Sequence, residues 1–407
     1  MDSVRITMLA PFGIRPKGTL SGRMLPLAQA LVRRGHKVSV VAPPIHNPAD
    51  AGQRVVHNHV PVIHTARPTL PGPIGTIQQV LALLKTALAE APDILHLFKP
   101  KGYSGLAALL ARATDPHLPL VVDTDDWEGW GGWNSLLPYP RLAKELFAWQ
   151  ERDLPRRAMA ITVASRTLET QVWGFGIPPE RVVYLPNGIN LDPLSSNEKP
   201  RSIDRDSQTI LLYTRFWEFD VRDIVAALVI LAGHFPLLRL LVVGRGERGE
   251  EHELLRLAER AGLARMVHYQ GWVEPAHIPM HLASADIAIY PVADRLINRA
   301  KCSVKLLELM AAGLPIVAGR VGQVAEYLEH GRSGLLVEPG NPAALARGVL
   351  SLLSDATLRT QLGQAAQARA RQYTWDLLAP RAEAAYALCL ARRVASTSRK
   401  AHTDSHG

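Results

Sequence analysis

The chain has 407 residues, 47% hydrophobic and 20% charged, with 30 glycines and 30 prolines that follow no fixed period. That length and balance exclude a staple-dependent mini-protein, a disordered chain and a collagen-like rod, and leave room for two or three packed domains. The net charge of +9 is uneven, residues 1–190 holding 20 Lys/Arg against 14 Asp/Glu.

Cys302 and Cys389 lie far apart without CxxC or Cys/His spacing, so neither a disulfide framework nor a zinc site is supported, and a reducing cytoplasm is the expectation. The opening six residues carry Asp2 and Arg5, unlike a secretory signal. The most apolar stretch, 224–244, is broken by His234, Pro236 and Arg239, leaving no span for a membrane helix. Positive charge in the first half suits anionic headgroups or anionic substrates, which allows peripheral contact with the inner face of a membrane. No nucleic-acid-binding signature accompanies it, so no nucleic-acid partner is expected.

In chain order, residues 4–10 form a β-branched run. A turn-rich stretch follows, then a helix over 23–34 with Leu27, Ala28, Leu31 and Val32 at helical spacing. Gly35 stops that helix, and 37–42 is a second strand, completing a βαβ unit. The alternation continues with helix 77–90, strand 93–98, helix 104–113, strand 120–123, helix 140–157 and strand 160–164. Polar, proline- and serine-rich residues 191–208 read as a linker. A second alternation occupies 209–376, with strands at 209–213, 238–244, 267–272, 287–291 and 316–318, and helices at 222–233, 251–261, 304–312, 342–354 and 356–372. Residues 377–394 predict a last helix, and 395–407 a disordered tail. This order predicts an α/β protein of two Rossmann-like domains, 1–190 and 209–376, with parallel sheets facing across a cleft where ligands bind.

The segment from Lys305 through Glu308, Gly313 and Pro315 to Ala318 resembles the signature of family 4 glycosyltransferases, retaining enzymes of the GT-B fold. Arg34-Gly35-His36, Asp93-Ile94-Leu95-His96, Leu185-Pro186-Asn187-Gly188, Tyr213-Thr214-Arg215, Gly244-Arg245-Gly246, Gly271-Trp272-Val273 and Gly334–Val337 fall in the family's order. The resemblance spans roughly 4–390 and is most specific in the second half. It implies transfer of a sugar from a nucleotide sugar to a glycan, lipid-linked or small-molecule acceptor, without cofactor or metal, and a last helix returning to the first domain.

The second domain implies a donor site. Ser303 is a plausible N-cap for a helix whose start at Val304 and Lys305 suits a phosphate. Glu308, further along that helix, matches the glutamate that holds the donor ribose, and its acceptor oxygens suit a diol. Arg215 matches the cation that neutralises the leaving diphosphate. Gly244 and the Gly271, Trp272, Val273 segment match the nucleotide-contacting loops. Where the family has a second cation, this chain has Asp220, leaving Arg222 or Lys305 as substitutes; where it has a further glutamate, this chain has Ala300, so donor-sugar recognition departs from the common pattern.

The first domain implies the sugar and acceptor side. Asp125 stands where the family carries a histidine, and a carboxylate there can stabilise oxocarbenium-like charge. Asp126, Trp127 and Trp130 open a loop with three tryptophans and three glycines in nine residues, a platform for a sugar ring or a lipid carrier, or plain domain packing. Gly18 and Gly22, with Lys17 and Arg23, resemble the family's glycine-rich loop. His96 is a further cleft candidate or a core histidine. Together the residues expected to carry chemistry are Asp125, Arg215 and Glu308.

Four other readings stay open on the residues alone. Gly244-Arg245-Gly246-Glu247-Arg248-Gly249 fits a dinucleotide fingerprint, but the next strand lacks the acidic ribose ligand. Asp123-Thr124-Asp125 fits a DxD metal pattern of a different fold. The altered positions also admit a catalytically silent relative that binds nucleotide sugar or glycan, or a nucleotide-sugar epimerase of the same architecture.

Overall fold

The computed structural model describes residues 2–14, 18–190 and 208–404, with side chains described as far as 393. It divides into two compact units, one of 1–188, 300–302 and 375–407, the other of 189–299 and 303–374. Residues 191–207 of the expected linker lie outside the described residues.

The first unit is built on eight strands: β1 (Arg5–Leu9), β2 (Lys37–Ala42), β3 (Arg54–His57), β4 (Val60–His64), β5 (Ile94–Phe98), β6 (Leu120–Thr124), β7 (Ala160–Val163) and β8 (Val182–Tyr184). Their order is β3-β4-β2-β1-β5-β6-β7-β8, and every neighbouring pair is parallel except β3 and β4. The central strands are buried almost throughout and mostly apolar because both faces are covered, as parallel sheets require. The β3–β4 hairpin escapes the sequence reading. Its turn is Asn58-His59, both at positive φ (47° and 69°), a left-handed pair without the glycine that usually advertises it.

The helix Trp375–Asp404 belongs to this unit. Trp375, Leu378, Ala382, Tyr386 and Cys389 join the core formed by β1, β2, β5 and the helix Leu25–Arg33. The tail expected to lose order continues this helix as far as Asp404, since 391–404 contains neither proline nor glycine to stop it. Residues 405–407 lie outside the described residues.

The second unit has six parallel strands: β9 (Thr209–Tyr213), β10 (Arg239–Val243), β11 (Val267–Gly271), β12 (Ile287–Tyr290), β13 (Ile316–Gly319) and β14 (Leu335–Val337). They lie in the order β11-β10-β9-β12-β13-β14. Its core sets Ile210 and Leu212 of β9 against Ile224, Leu228 and Leu231 of the helix Val221–Ala232. In each unit the central strand, β1 or β9, delivers its following loop to the carboxyl edge of the sheet, where ligands bind in such folds.

Candidate active site

In the second unit the chain turns sharply after β9. The Thr214 hydroxyl accepts the Phe216 amide at 2.8 Å, and Phe216 adopts φ 69°, so Arg215 projects from the turn. The Arg215 guanidinium pairs with Glu247 in the loop after β10, both side chains about half exposed. Asp220 caps the helix Val221–Ala232 by accepting the Arg222 amide at 2.9 Å. The Arg222 guanidinium beside it holds its carboxyl below the usual range. Asp220 is therefore a helix cap, and it engages Arg222, one of the two substitute cations.

Lys305, the other, lies with its ammonium 4.4 Å over the Tyr213 ring at the end of β9. The Tyr213 hydroxyl is hydrogen-bonded to Glu308, and burial together with that carboxylate pushes its ionisation far above the usual range. Ser303 caps the helix Val304–Ala311, its hydroxyl accepting from the Leu306 amide at 3.4 Å. Lys305 and Glu308 thus meet at Tyr213, on a helix whose start at Val304 is capped by Ser303 and carries the positive end of its dipole. Sequence reasoning quoted Tyr213 only as a marker before Arg215. Its place at the end of an apolar strand, one residue before the turn, was the available clue.

The loop after β10 starts at Gly244, whose φ of 132° and contact with the Thr214 carbonyl leave no room for a Cβ. Its amide donates to the Gly271 carbonyl at 2.7 Å, tying it to the end of β11, after which Trp272 stands exposed and Val273 half-buried. The glycine fingerprint is occupied from within: Glu251 accepts the Gly246 amide at 3.0 Å and Glu250 the Arg248 amide at 2.8 Å. Amides already bound to carboxylates repel a pyrophosphate, so the fingerprint is no cradle in this form.

In the first unit the loop after β6 carries a buried ionic cluster. The Lys99 ammonium lies 3.1 Å from Asp125, 2.9 Å from Glu128 and in contact with Asp126. Lys101 bonds the other Glu128 oxygen at 2.6 Å, its ammonium 4.7 Å and 4.9 Å from the Tyr139 and Phe147 ring centres. Asp125 also accepts from the Thr19 hydroxyl at 3.3 Å. Burial raises the Asp125 carboxyl to about 6 against the pull of Lys99. Burial works the same way on Glu128, but its two lysines outweigh it and bring that carboxyl down to about 2.

Glu151, on the helix Arg141–Arg157, anchors the tryptophan loop by accepting the Glu128 amide at 2.6 Å, and burial lifts its carboxyl to about 7. In the loop, Trp127 donates its indole N–H to the Trp130 carbonyl at 2.9 Å. Trp130 is exposed, with the Lys144 ammonium 5.9 Å from its ring centre, while Trp127 and Trp133 are half-buried. Lys99, Lys101, Glu128 and Glu151 are absent from the sequence reading. Two lysines flanking Pro100 after a fully buried strand were the only sign, and lysines are usually solvated.

Two expectations are corrected. His96 is not at a strand end facing a ligand; it is the middle residue of β5 and fully buried, its Nδ1 2.9 Å from the Tyr386 hydroxyl and its ring 4.2 Å from that of Phe98. Alternation along β5 sends it under the last helix, and burial lowers its ionisation to about 4. Arg23 does not face an open loop. It is fully buried and bidentate to Asp123, at 2.8 and 2.6 Å, with Asn187 and the Leu185 carbonyl completing its shell. The pairing that neutralises Arg23 also separates Asp123 from Asp125, so the DxD carboxylates face different partners. Gly18 and Gly22 form one tight turn, the Gly22 amide donating to the Gly18 carbonyl at 2.8 Å, with Gly18 exposed. Lys17 lies outside the described residues.

Comparison with known proteins fits both halves. The family model described as Glycosyl transferase 4-like domain matches residues 18–188, and that described as Glycosyl transferases group 1 matches 207–355. The chain is 27% identical over 384 residues to the phosphatidyl-myo-inositol mannosyltransferase of Mycobacterium leprae, covering 92% of this chain and 94% of that one. It is 30% identical over 282 residues to the D-inositol 3-phosphate glycosyltransferase of Acidothermus cellulolyticus, 62% of each chain. Among solved structures, Anabaena HepE in complex with UDP and glucose superposes with a TM-score of 0.72 at 19% identity, over 93% of this chain and 98% of that one. Sucrose-phosphate synthase from Thermosynechococcus elongatus gives 0.74 at 19% identity, over 96% and 100%. At such identities the superpositions carry the fold alone.

Proposed function

The chain belongs to the family 4 glycosyltransferases, and from that premise we propose that its second unit holds the diphosphate and ribose of a nucleotide sugar while Asp125 of the first unit serves the transferred sugar. The observation that carries this reading is the grouping of Lys305, over the Tyr213 ring, and Glu308, hydrogen-bonded to the Tyr213 hydroxyl, on one capped helix. Lys305 and Arg215 supply positive charge to a leaving diphosphate, and the helix dipole adds to it without reorganisation. Glu308, an acceptor oriented by the Tyr213 hydroxyl, suits the ribose diol. Gly244, Gly271, Trp272 and Val273 contact the base, largely through backbone.

Transfer proceeds with retention. As the diphosphate leaves, the anomeric carbon gains positive charge, which a carboxylate at Asp125 stabilises. Asp126 and the exposed Trp130 face receive hydroxyls and the flat side of a sugar or acceptor ring. These groups provide charge and position without a resident metal or cofactor. The activities named for the relatives make a hexose donor and an inositol-bearing acceptor the first pair to assay.

Peripheral membrane contact belongs to the same proposal. On the helix Gly72–Ala89 the exposed side chains Ile74, Ile77, Leu81 and Leu88 fall on one stripe with Lys85 among them, the pattern of a helix lying in a membrane interface. No helix of the described residues is long and apolar enough to cross a bilayer. A lipid-linked acceptor would then be met at the inner membrane face.

The test is a thermal-shift comparison of GDP-mannose, UDP-glucose and ADP-glucose, followed by turnover of whichever binds. Donor at about a hundred times its Kd stabilises a site by about 2.7 kcal/mol, a readily measured rise in melting midpoint. Absence of both a shift and transfer with every donor would sink the reading.

A further inference from the structure

We propose that Lys99 is a positioning residue for the transfer, fixing the place and the charge of the Asp125 carboxylate. The proposal rests on the assignment of Asp125 to the transferred sugar. Its ground is geometric. β5 ends at Phe98, and the next residue turns into the left-handed region at φ 54°, a conformation rare for a non-glycine residue and one that persists only where its surroundings enforce it. The turn is pinned on both sides, the Lys99 amide donating to the Asp123 carbonyl at 3.0 Å and the Lys99 carbonyl accepting from the Lys101 amide at 2.7 Å. It sends a buried ammonium into the loop after β6, where it donates hydrogen bonds to Asp126 and Glu128 and forms an ion pair with Asp125 at 3.1 Å.

The charges within the cluster are unequal in role. Glu128 is held by both lysines and is ionised throughout the physiological range. Asp126 is partly open to solvent, its side chain 21% exposed. Asp125 is 8% exposed at its side chain, and burial is the largest influence on it. Around it, Asp126 and Asp123 disfavour its ionisation, Lys99 and Arg23 favour it, and the Thr19 hydroxyl donates to it. Arg23 is already bidentate to Asp123, so Lys99 is the cation directly on Asp125. Removing it leaves burial and two neighbouring carboxylates opposed by the Thr19 hydroxyl and by an Arg23 already engaged with Asp123, which moves Asp125 toward its protonated form at neutral pH. A neutral carboxyl no longer stabilises positive charge at a glycosyl centre.

The experiment is the pH profile of kcat/KM, which reports the groups of the free enzyme, for the full-length protein, with the best donor found by thermal shift, in four variants. With a folded-state value of about 6, the parent's rate rises with pH as Asp125 loses its proton, giving an acid limb near that pH. Lys99→Met moves the limb alkaline by about one unit or more. Asp126→Asn, which removes a repelling carboxylate and keeps Lys99, moves it to lower pH. Lys101→Met, which acts on Glu128, leaves the limb in place. A Lys99 that only braced the loop would cost rate or stability at all pH values without moving the limb, and that result overturns the proposal. Should Lys99→Met fail to fold, an unmoved limb in Asp126→Asn overturns it instead. The underlying assignment is read separately in Asp125→Asn: parental kcat/KM there defeats the role of Asp125 itself, whereas a lowered kcat/KM with no acid limb keeps it and leaves the Lys99 variants to decide.

Discussion

The two units carry comparable charges in opposite states. In the first, Lys99, Asp125 and Glu128 have side chains 5%, 8% and 3% exposed; in the second, Arg215 and Glu247 are 45% and 40% exposed. Buried charges bear a desolvation cost that only a complete set of partners offsets, so their geometry is set before any ligand arrives. Exposed pairs are worth about 0–1 kcal/mol and are readily exchanged for a stronger anion. The charged cluster of the first unit is therefore prearranged and the exposed pair of the second adaptable.

The largest effect that could break this comparison is in the first unit. Arg23→Met leaves Asp123 buried without its cation and should destabilise the unit by about 3–5 kcal/mol, seen as a lower urea midpoint. A midpoint within error of the parent would mean that the buried pairs are not what holds the carboxyl edge of that sheet.

Next comes the second unit's grip. Arg215→Ala and Glu308→Ala should each lower transfer about a hundredfold, the scale of one lost transition-state contact, with the melting midpoint unchanged in the half-exposed Arg215 variant and modestly lower where Glu308→Ala leaves the buried Tyr213 hydroxyl without that partner. Near-parental turnover in both would remove the site from this unit.

The contrast is sharpened by Glu151. Its carboxyl is raised to about 7 in the folded state, so its favourable contribution to stability is full below about 4.5 and is lost as pH rises through about 7. Glu151→Gln should therefore gain on the parent as pH rises across that window, in melting midpoints taken at pH 5 and pH 8. Equal pH dependence in the two proteins would show that the loop is not held by a protonated carboxyl. The smallest effect is expected at Glu247→Gln, which frees Arg215 from an exposed partner and should improve donor KM by less than about fivefold. A larger change would place Glu247 among the donor contacts.

Much of the fold was legible from spacing. Apolar runs of strand length alternating with helical periodicity identified both sheets, because parallel strands covered on both faces leave continuous hydrophobic sequence. The β3–β4 hairpin was missed because half its residues face solvent and its turn uses Asn58 and His59. In the second unit Lys305 and Glu308 both meet Tyr213, since they lie three residues apart on one helix beside β9, where spacing translates into distance. The places of His96 and Arg23 were left open for a common reason. Each meets its partner across a long sequence separation, Tyr386 for one and Asp123 for the other, and no local pattern reports such a pairing.

By itself, then, the sequence determined the family, the two-unit plan and the donor-side motif, all of which are written in local periodicity and in residues a few positions apart. Only the tertiary structure decided which charges are buried. Lys99 and Lys101 come from the end of β5, Asp125, Asp126 and Glu128 from the loop after β6, and Glu151 from a helix beyond. Parallel pairing of β5 with β6 brings those loops to the same edge, and removal from water there turns ordinary surface residue types into a fixed electrostatic field.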